Sequence, residues 1–211
     1  MYMPPAFEEK DPVILWDIIR TQPLGLLVSQ GESEITASLL PFEVNDSSTK
    51  IKLCAHLAKA NGQWRNLDGQ NALIVFQAAN AYVSPQWYQS KREHGHVVPT
   101  WNYAVVQVRG VARVIEDKDW LLAQVSRLTN HHETSVKRGS PWQVTDAPED
   151  FIQSQLKGIV GMEIDVSSIT GKLKASQNRS AQDRAGVVDG LNQMGGENDL
   201  AMADLVRRGS S

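Results

Sequence analysis

The sequence predicts an α+β protein, mainly β, in which a small antiparallel barrel is covered by helices on its outside. Three observations lead to this fold class. Several strand-like runs follow one another between residues 24 and 56. The segments 102–115 and 160–166 each alternate apolar with polar residues. Alternation with a period of two residues over such lengths predicts half-buried antiparallel strands.

Six strands and six helices account for most of the chain. The first helix is predicted from Asp11-Pro12, because Asp is a preferred N-cap and Pro a preferred residue of the first helical turn. The predicted strands are 24–29, 34–44, 50–56, 73–76, 102–115 and 160–166. The predicted helices are 11–20, 86–90, 117–130, 149–157, 180–191 and 198–208.

The expected domain organisation is one barrel domain over residues 1–193 and a C-terminal helix or tail over residues 194–211. Gly195 and Gly196 interrupt the helical pattern there, and glycine pairs are typical of turns and loops between helices.

The composition is that of an ordinary globular protein, with 41% hydrophobic and 21% charged residues. The formal net charge is −3, from 21 basic and 24 acidic residues, which does not favour a protein that holds DNA through its phosphates. A single cysteine, Cys54, excludes an intrachain disulfide and fits a reducing compartment. Because no apolar run approaches the roughly 20 residues of a membrane span, we expect a cytoplasmic protein without membrane association.

Residues 82–103 form the most unusual segment of the chain. They contain three Trp/Tyr clusters beside Pro, Ser, Thr and Asn. Aromatic side chains with polar neighbours form flat walls with polar edges, which suit a planar ligand. His94 and His96 in the same segment, like the adjacent His131 and His132, are interpreted as surface residues, because metal sites need three or four converging ligands.

Residues 56–64, HLAKANGQW, place several hydrogen-bond donors at the end of a strand. Lys59 supplies charge, His56 and Asn61 supply directional polar groups, and Trp64 offers a stacking plane. A phosphate or another anion could bind there. The alternative is a solvated turn with Lys59 in water and Trp64 in the core, and the motif alone favours this alternative.

Five segments resemble one known family. They are MYMPPAFEEKD at the N-terminus, HLAKANGQW at 56–64, FQAANAYVSPQWY at 76–88, VVPTWNYAVV at 97–106 and GKLKASQNR at 171–179. Together they resemble the PaiB-like family, the FMN-binding negative transcriptional regulators, from Met1 to about Leu191. The resemblance implies a six-stranded antiparallel split β-barrel of the FMN-binding type. It also implies a homodimer with flavin sites at its interface.

The family likeness further implies a set of FMN-binding residues. Three residues of the second strand would lie along the flavin ring, residues 56–61 would serve the phosphate, residues 100–102 would close the pocket, and two C-terminal residues would reach it. The implied residues are Thr36, Ala37, Ser38, His56, Lys59, Asn61, Trp64, Thr100, Trp101, Asn102, Gln177 and Arg179. The chain departs from the family pattern at Ser38, Ala55, Gly62 and Leu173, where the family favours His, Gly, Pro and Trp.

Three functions stay open from the sequence. The first is a flavin-binding transcriptional regulator, acting on DNA directly, through a regulatory protein partner, or through metabolism. The second is a flavin-dependent oxidoreductase, in which the flavin ring does the chemistry and the protein positions it. The third is a flavin-free dimeric binding module.

Overall fold

A computed structural model describes residues 1–46, 50–136 and 139–209 of the chain. The chain divides into two compact units. The first unit comprises Met1–Ile18, Phe76–Gln107 and Thr170–Ser211, and the second comprises Ile19–Val75 and Val108–Ile169.

Eight strands belong to one sheet in the described part of the chain. They are β1 (Glu8–Glu9), β2 (Leu24–Gln30), β3 (Ile35–Pro41), β4 (Glu43–Asn45), β5 (Lys52–Ala58), β6 (Asn71–Val83), β7 (Thr100–Ile115) and β8 (Ile159–Lys174). Their order is β3-β2-β6-β7-β8-β5-β4, and β1 pairs with β8. The pairs β1–β8, β2–β3, β2–β6, β4–β5 and β5–β8 are antiparallel. The six predicted strands are the six long ones here, so the antiparallel fold class is confirmed and two short strands are added.

Six α-helices accompany the sheet within the described residues. They are α1 (Pro12–Thr21), α2 (Gln89–Glu93), α3 (Lys118–Glu133), α4 (Glu149–Lys157), α5 (Ala181–Met194) and α6 (Glu197–Arg208). All six were predicted within a few residues of these bounds, and the predicted helix 86–90 is divided into a 3-10 turn, Pro85–Trp87, and α2. None of the described helices is long and apolar enough to cross a membrane.

Three strand predictions were wrong in extent. The strand predicted at 160–166 is β8, which continues past this alternating segment to Lys174. The strand predicted at 73–76 is β6, which continues to Val83, because backbone pairing does not require the apolar side chains on which the prediction relied. The strand predicted at 34–44 is broken between β3 and β4 by Phe42. The Phe42 side chain is buried, and its N–H donates to the Pro23 carbonyl at 2.8 Å in the register of the β2–β3 pairing. Pro23 has no N–H to return the bond, so the β2–β3 ladder ends there.

In the second unit, alternate residues of β5 contribute side chains to the core. Leu53, Ala55 and Leu57 of β5 are fully buried, and β3 also contacts β5, so the sheet of this unit curves back on itself. Helix α3 packs on β8 because Gly161 leaves room for Trp120. A Cβ at residue 161 would lie 2.3 Å from the Trp120 ring, so a larger residue there would displace the helix.

A buried carboxylate joins β5, β7, β8 and α3 in the second unit. Glu163 Oε2 accepts hydrogen bonds from Lys52 Nζ at 2.9 Å and Arg113 at 2.5 Å, and Oε1 accepts from the Trp120 indole at 3.2 Å. Burial acts to raise the pKa of Glu163, but the bonds from Arg113, Lys52 and Trp120 outweigh it and leave the pKa below its ordinary value. Glu163 is therefore ionised and fully partnered.

The first unit has its own core, formed by α5, α6 and the ends of β6 and β8. Gly186 and Gly190 of α5 face the 3-10 turn, and a Cβ at Gly190 would lie 2.2 Å from the Trp87 ring. The buried members of this core are Ala81, Val83, Tyr88, Ala175, Val187, Leu191, Met202, Ala203 and Val206. Helix α6 thus packs as part of the first unit, while the expected domain boundary at residue 193 stays a prediction. Residues 210 and 211 of the expected tail lie outside the described residues.

We predict that Glu163→Gln lowers the free energy of unfolding at pH 7 by about 2 kcal/mol, because it replaces a charged acceptor of three hydrogen bonds by a neutral amide. Urea unfolding of both proteins measures the difference. Glu32→Gln, in the exposed turn between β2 and β3, is the matched control and should change stability little.

The Glu163 effect should also depend on pH. The folded-state pKa lies below the ordinary value of 4.5, so the carboxylate contributes its full stability above about pH 4.5 and loses it as pH falls through the folded-state pKa. The stability gap between the wild type and Glu163→Gln should therefore shrink in acid. A gap that stays constant from pH 7 to pH 3 would contradict this assignment.

Candidate functional site

The residues predicted to bind a ligand fall into two groups, one in each unit. The second unit holds residues 36–38 on β3, His56 on β5, and Lys59, Asn61 and Trp64 just beyond β5. The first unit holds residues 100–102 at the start of β7, and Gln177 and Arg179 after β8.

Asn61 links the segment 59–64, here called the Asn61 loop, to β3. Its Nδ2 donates to Ser38 Oγ at 2.9 Å. Its Oδ1 accepts from the Gln63 N–H at 3.1 Å and so caps the 3-10 turn Gly62–Asn66. Two residues that were predicted to share a site, Ser38 and Asn61, are thus in direct contact.

Gln63 was missed by the sequence analysis and holds the same loop from beneath. It is buried, and its Nε2 lies 2.9 Å from Ser29 Oγ and 3.3 Å from the Thr36 carbonyl oxygen. The sequence did not predict the burial of Gln63, because the residue lies in a polar run and is buried only by its contacts with β2 and β3. The Asn61 loop is therefore fixed to the hairpin at two points.

A hydrogen bond between Trp64 and Lys59 joins the two ends of the Asn61 loop. The Trp64 indole N–H donates to the Lys59 carbonyl oxygen at 3.1 Å, and the Lys59 N–H donates to the Gly158 carbonyl at 2.8 Å. Lys59 Nζ lies 3.2 Å from Glu116 in a partly exposed ion pair. Exposed pairs of this kind are weak, so Lys59 can exchange Glu116 for another anion.

His56 points toward helix α3 and is half-buried. Its Nδ1 lies 2.9 Å from Oε1 of Gln124, which is fully buried. One ring nitrogen of His56 is therefore occupied by a protein contact, and its predicted role toward a phosphate stays a prediction.

The three predicted residues of β3 alternate between the two faces of the strand. Thr36 and Ser38 are half-buried beside the Asn61 loop, whereas Ala37 is exposed. Ala37 lies between Ile35 and Leu39, which are 70% and 62% exposed. These three residues form an apolar outer face on β3.

In the first unit, a group of cations and aromatic rings surrounds the start of β7. We call Thr100, Trp101, Tyr103, Lys172 and Lys174 the lysine–aromatic cluster. Lys174 Nζ donates to Thr100 Oγ1 and to the Trp101 carbonyl oxygen, the latter at 2.7 Å. Trp101 is 55% exposed and packs edge-to-face against Tyr82, with ring centroids 6.0 Å apart. Thr100 and Trp101 were predicted site residues, whereas Lys174, the partner of Thr100 on β8, was not.

Asn102 faces away from this cluster into the interior. It is 1% exposed, and its Nδ2 donates to Ser176 Oγ at 2.9 Å. Its Oδ1 has no hydrogen-bond partner in the described part of the chain. Ser176 has a φ of 60°, in the left-handed region that β-substituted residues rarely adopt. A buried polar pair thus holds a strained turn directly after β8.

Gln177 and Arg179 complete that turn. Gln177 Oε1 accepts from the Ala175 N–H at 2.7 Å, so this side chain serves the local backbone. The Arg179 guanidinium lies 4.8 Å from the centroid of the Tyr88 ring, a cation–π distance. The structure therefore gives both residues contacts within the first unit, and their predicted role toward a ligand stays a prediction.

Comparison with solved structures shows the fold class of the chain. Structures that share its fold include the flavocytochrome Anf3 from Azotobacter vinelandii, with a TM-score of 0.58, 10% identity and coverage of 85% of this chain and 75% of that one. An FAD and heme binding protein from Mycobacterium smegmatis also has a TM-score of 0.58, at 14% identity and with coverage of 84% and 78%. The fold is that of the split β-barrel proteins, as predicted.

The family follows from sequence. Residues 1–168 match the family described as "Putative FMN-binding domain", and the chain belongs to this family. The protein of Bacillus subtilis named "Protease synthase and sporulation protein PAI 2" is 31% identical over 207 residues, which cover 98% of this chain and 96% of that protein. An uncharacterized protein of Emericella nidulans is 33% identical over 242 residues, with coverage of 98% and 96%. The predicted PaiB-like resemblance is therefore confirmed.

We predict that Ser176→Gly is more stable than Ser176→Ala by about 1 kcal/mol. Both variants lose the hydroxyl that contacts Asn102, but only glycine adopts a positive φ without strain. Thermal unfolding of the two variants measures the difference. Ser126, inside helix α3, is the matched control, because there alanine should be the more stable replacement. The same order at both positions would contradict the strain at Ser176.

Proposed function

We propose that this chain binds FMN. The family to which residues 1–168 belong supports the proposal, and so does the chemistry of the two predicted groups of residues. A flavin mononucleotide needs cations and donors for its phosphate, a flat wall for its ring, and polar groups for the ring edge. The Asn61 loop offers the first kind of group, and Thr100 with Trp101 would offer the second and third to a flavin held by a partner chain.

The phosphate end is proposed to bind at the Asn61 loop. Lys59 would exchange its exposed pair with Glu116 for the phosphate, while Asn61 and the backbone of the 3-10 turn would provide directed donors. Ser38 and Gln63 would hold the loop in place through the Asn61–Ser38 and Gln63–Thr36 hydrogen bonds. The observation that carries the proposal is that this segment, which could have been a solvated turn, is fixed to β3 by the hydrogen bonds of Asn61 and Gln63.

The ring end is proposed to involve a second copy of the chain. Trp101 is an exposed indole beside a threonine hydroxyl, and exposed aromatic residues are frequent at interfaces that bury a ligand. The apolar outer face of β3, formed by Ile35, Ala37 and Leu39, supports a homodimer, because a row of exposed apolar residues on an edge strand is normally covered. We propose that Trp101 closes the pocket on a flavin held by the partner.

The activity is proposed to follow from the cofactor. A bound flavin supplies hydride and electron transfer, and the protein contributes binding, orientation and exclusion of water. In the PaiB-like family such a protein is expected to act as a regulator, and a flavin-dependent oxidoreductase is the second candidate. With a net charge of −3, regulation through a protein partner or through metabolism is physically easier than direct DNA binding.

We predict that Lys59→Ala and Asn61→Ala each weaken FMN binding about tenfold while changing riboflavin binding much less. The reason is that only FMN carries the phosphate for which these two residues are proposed. Titration of each flavin, followed by quenching of its fluorescence, measures both affinities.

Lys157→Ala is the matched control for these variants, since Lys157 is exposed on α4 in the same unit and should leave both affinities unchanged. Equal losses of FMN and riboflavin in the Lys59 and Asn61 variants would refute the phosphate assignment. Binding of neither flavin by the wild-type protein would refute the proposal as a whole and leave the flavin-free module.

A further inference from the structure

Two lysines of β8 share one aromatic ring in the first unit. Lys172 Nζ lies 5.4 Å and Lys174 Nζ 5.9 Å from the centroid of the Tyr103 ring. Lys172 also lies 5.6 Å from the Tyr2 ring and donates to the Tyr2 carbonyl oxygen at 3.2 Å. Carbonyl oxygens and aromatic faces orient the two ammonium groups, but they do not neutralise them.

Neither lysine has a carboxylate partner among the described residues. Glu8 stands opposite Lys172 in the β1–β8 pairing, yet its carboxylate is paired with Lys10 at 3.3 Å. Burial lowers the pKa of Lys174, and the positive charges of Lys172 and Arg179 lower it further. Lys172 itself is only 7% exposed. The cluster therefore concentrates positive charge where water screens it poorly.

The second unit shows how this chain treats a buried charge elsewhere. Glu163 is as buried as Lys172, and it is met by a lysine, an arginine and an indole N–H. Two neighbouring cations without an anion are unfavourable unless an anion joins them. The missing partner of the lysine–aromatic cluster is therefore expected to come from outside the chain.

We propose that Lys172 and Lys174 bind the phosphate group of a ligand, with the Thr100 hydroxyl as a further donor. A phosphate brings up to two negative charges and three acceptor oxygens, which match two ammonium groups and a hydroxyl better than a carboxylate does. The exposed Trp101 indole and the Tyr82 ring beside the cluster add a flat apolar surface. The ligand is thus a phosphorylated compound with a planar group.

Two sources of this phosphate share the same chemistry. One is the phosphate of a flavin nucleotide, and the other is that of a second ligand such as a nicotinamide dinucleotide. The proposal does not rest on flavin binding, because the two lysines lack an anion whether or not the chain binds a flavin.

The direct test is titration of the purified full chain with inorganic phosphate by calorimetry, against sodium chloride at equal ionic strength. We expect the wild type to bind phosphate and Lys174→Met to bind it about tenfold more weakly, because a hydrogen bond to a charged group is lost. Lys91→Met removes an exposed lysine of the same unit and should keep wild-type affinity.

A second variant, Thr100→Val, keeps the test informative if Lys174→Met does not fold. Thr100→Val keeps the shape of the side chain but removes the hydroxyl, and it should also weaken phosphate binding. The melting temperature of each variant in chloride alone reports whether it folds. The proposal is overturned if phosphate binds no better than chloride, or if folded Lys174→Met and Thr100→Val both keep wild-type affinity.

Flavin titrations then separate the two sources. If Lys174→Met weakens FMN binding but not riboflavin binding, the phosphate belongs to the flavin, and its assignment to the Asn61 loop is wrong. If FMN affinity is unchanged while inorganic phosphate binding is lost, the phosphate belongs to a second ligand. Wild-type protein that binds inorganic phosphate but no flavin would refute FMN binding and keep the lysine site.

Discussion

The alternation of side chains along β8 is the constraint on which much of this protein depends. Near its start, Val160, Met162 and Ile164 are fully buried on one face, while Gly161 and Glu163 meet helix α3 on the other. Near its end, the same period of two brings Lys172 and Lys174 to a single aromatic ring. A register shift of one residue would exchange these faces, so the core of the second unit and the cation pair of the first follow from one regularity.

The chain handles buried charge in two opposite ways. Glu163 is surrounded by donors that hold its pKa low, which makes it a structural element whose removal costs stability. The lysine–aromatic cluster has cations without an anion, and perturbed, uncompensated groups are more frequent at functional sites than in cores. A buried charge needs a partner of opposite sign. Glu163 has its partners within the fold and stabilises it, whereas the lysine–aromatic cluster is proposed to take its partner from a ligand. The Asn61 loop lies between these cases, since Asn61 and Gln63 hold it to β3 by hydrogen bonds while Lys59 makes only a partly exposed ion pair.

The sequence predicted those features that depend on local pattern. Strand β7, the first half of β8, the helix cap at Asp11 and the fold class follow from periodicity and a capping residue. Ser38 and Asn61 were placed in one site only through the family likeness, and their direct contact was not predicted. Burial of Gln63 and the pairing of Lys174 with Thr100 could not be predicted, because each joins residues more than 20 positions apart whose meeting depends on strand register.

Binding of FMN by this chain is measured by the visible absorption spectrum of the purified protein before and after addition of FMN and gel filtration. The proposed function predicts that protein passed through the column after incubation carries the yellow flavin spectrum, in a ratio that approaches one flavin per chain. A colourless protein that releases all added FMN on the column would contradict it. The split-barrel fold would then serve this chain without a flavin.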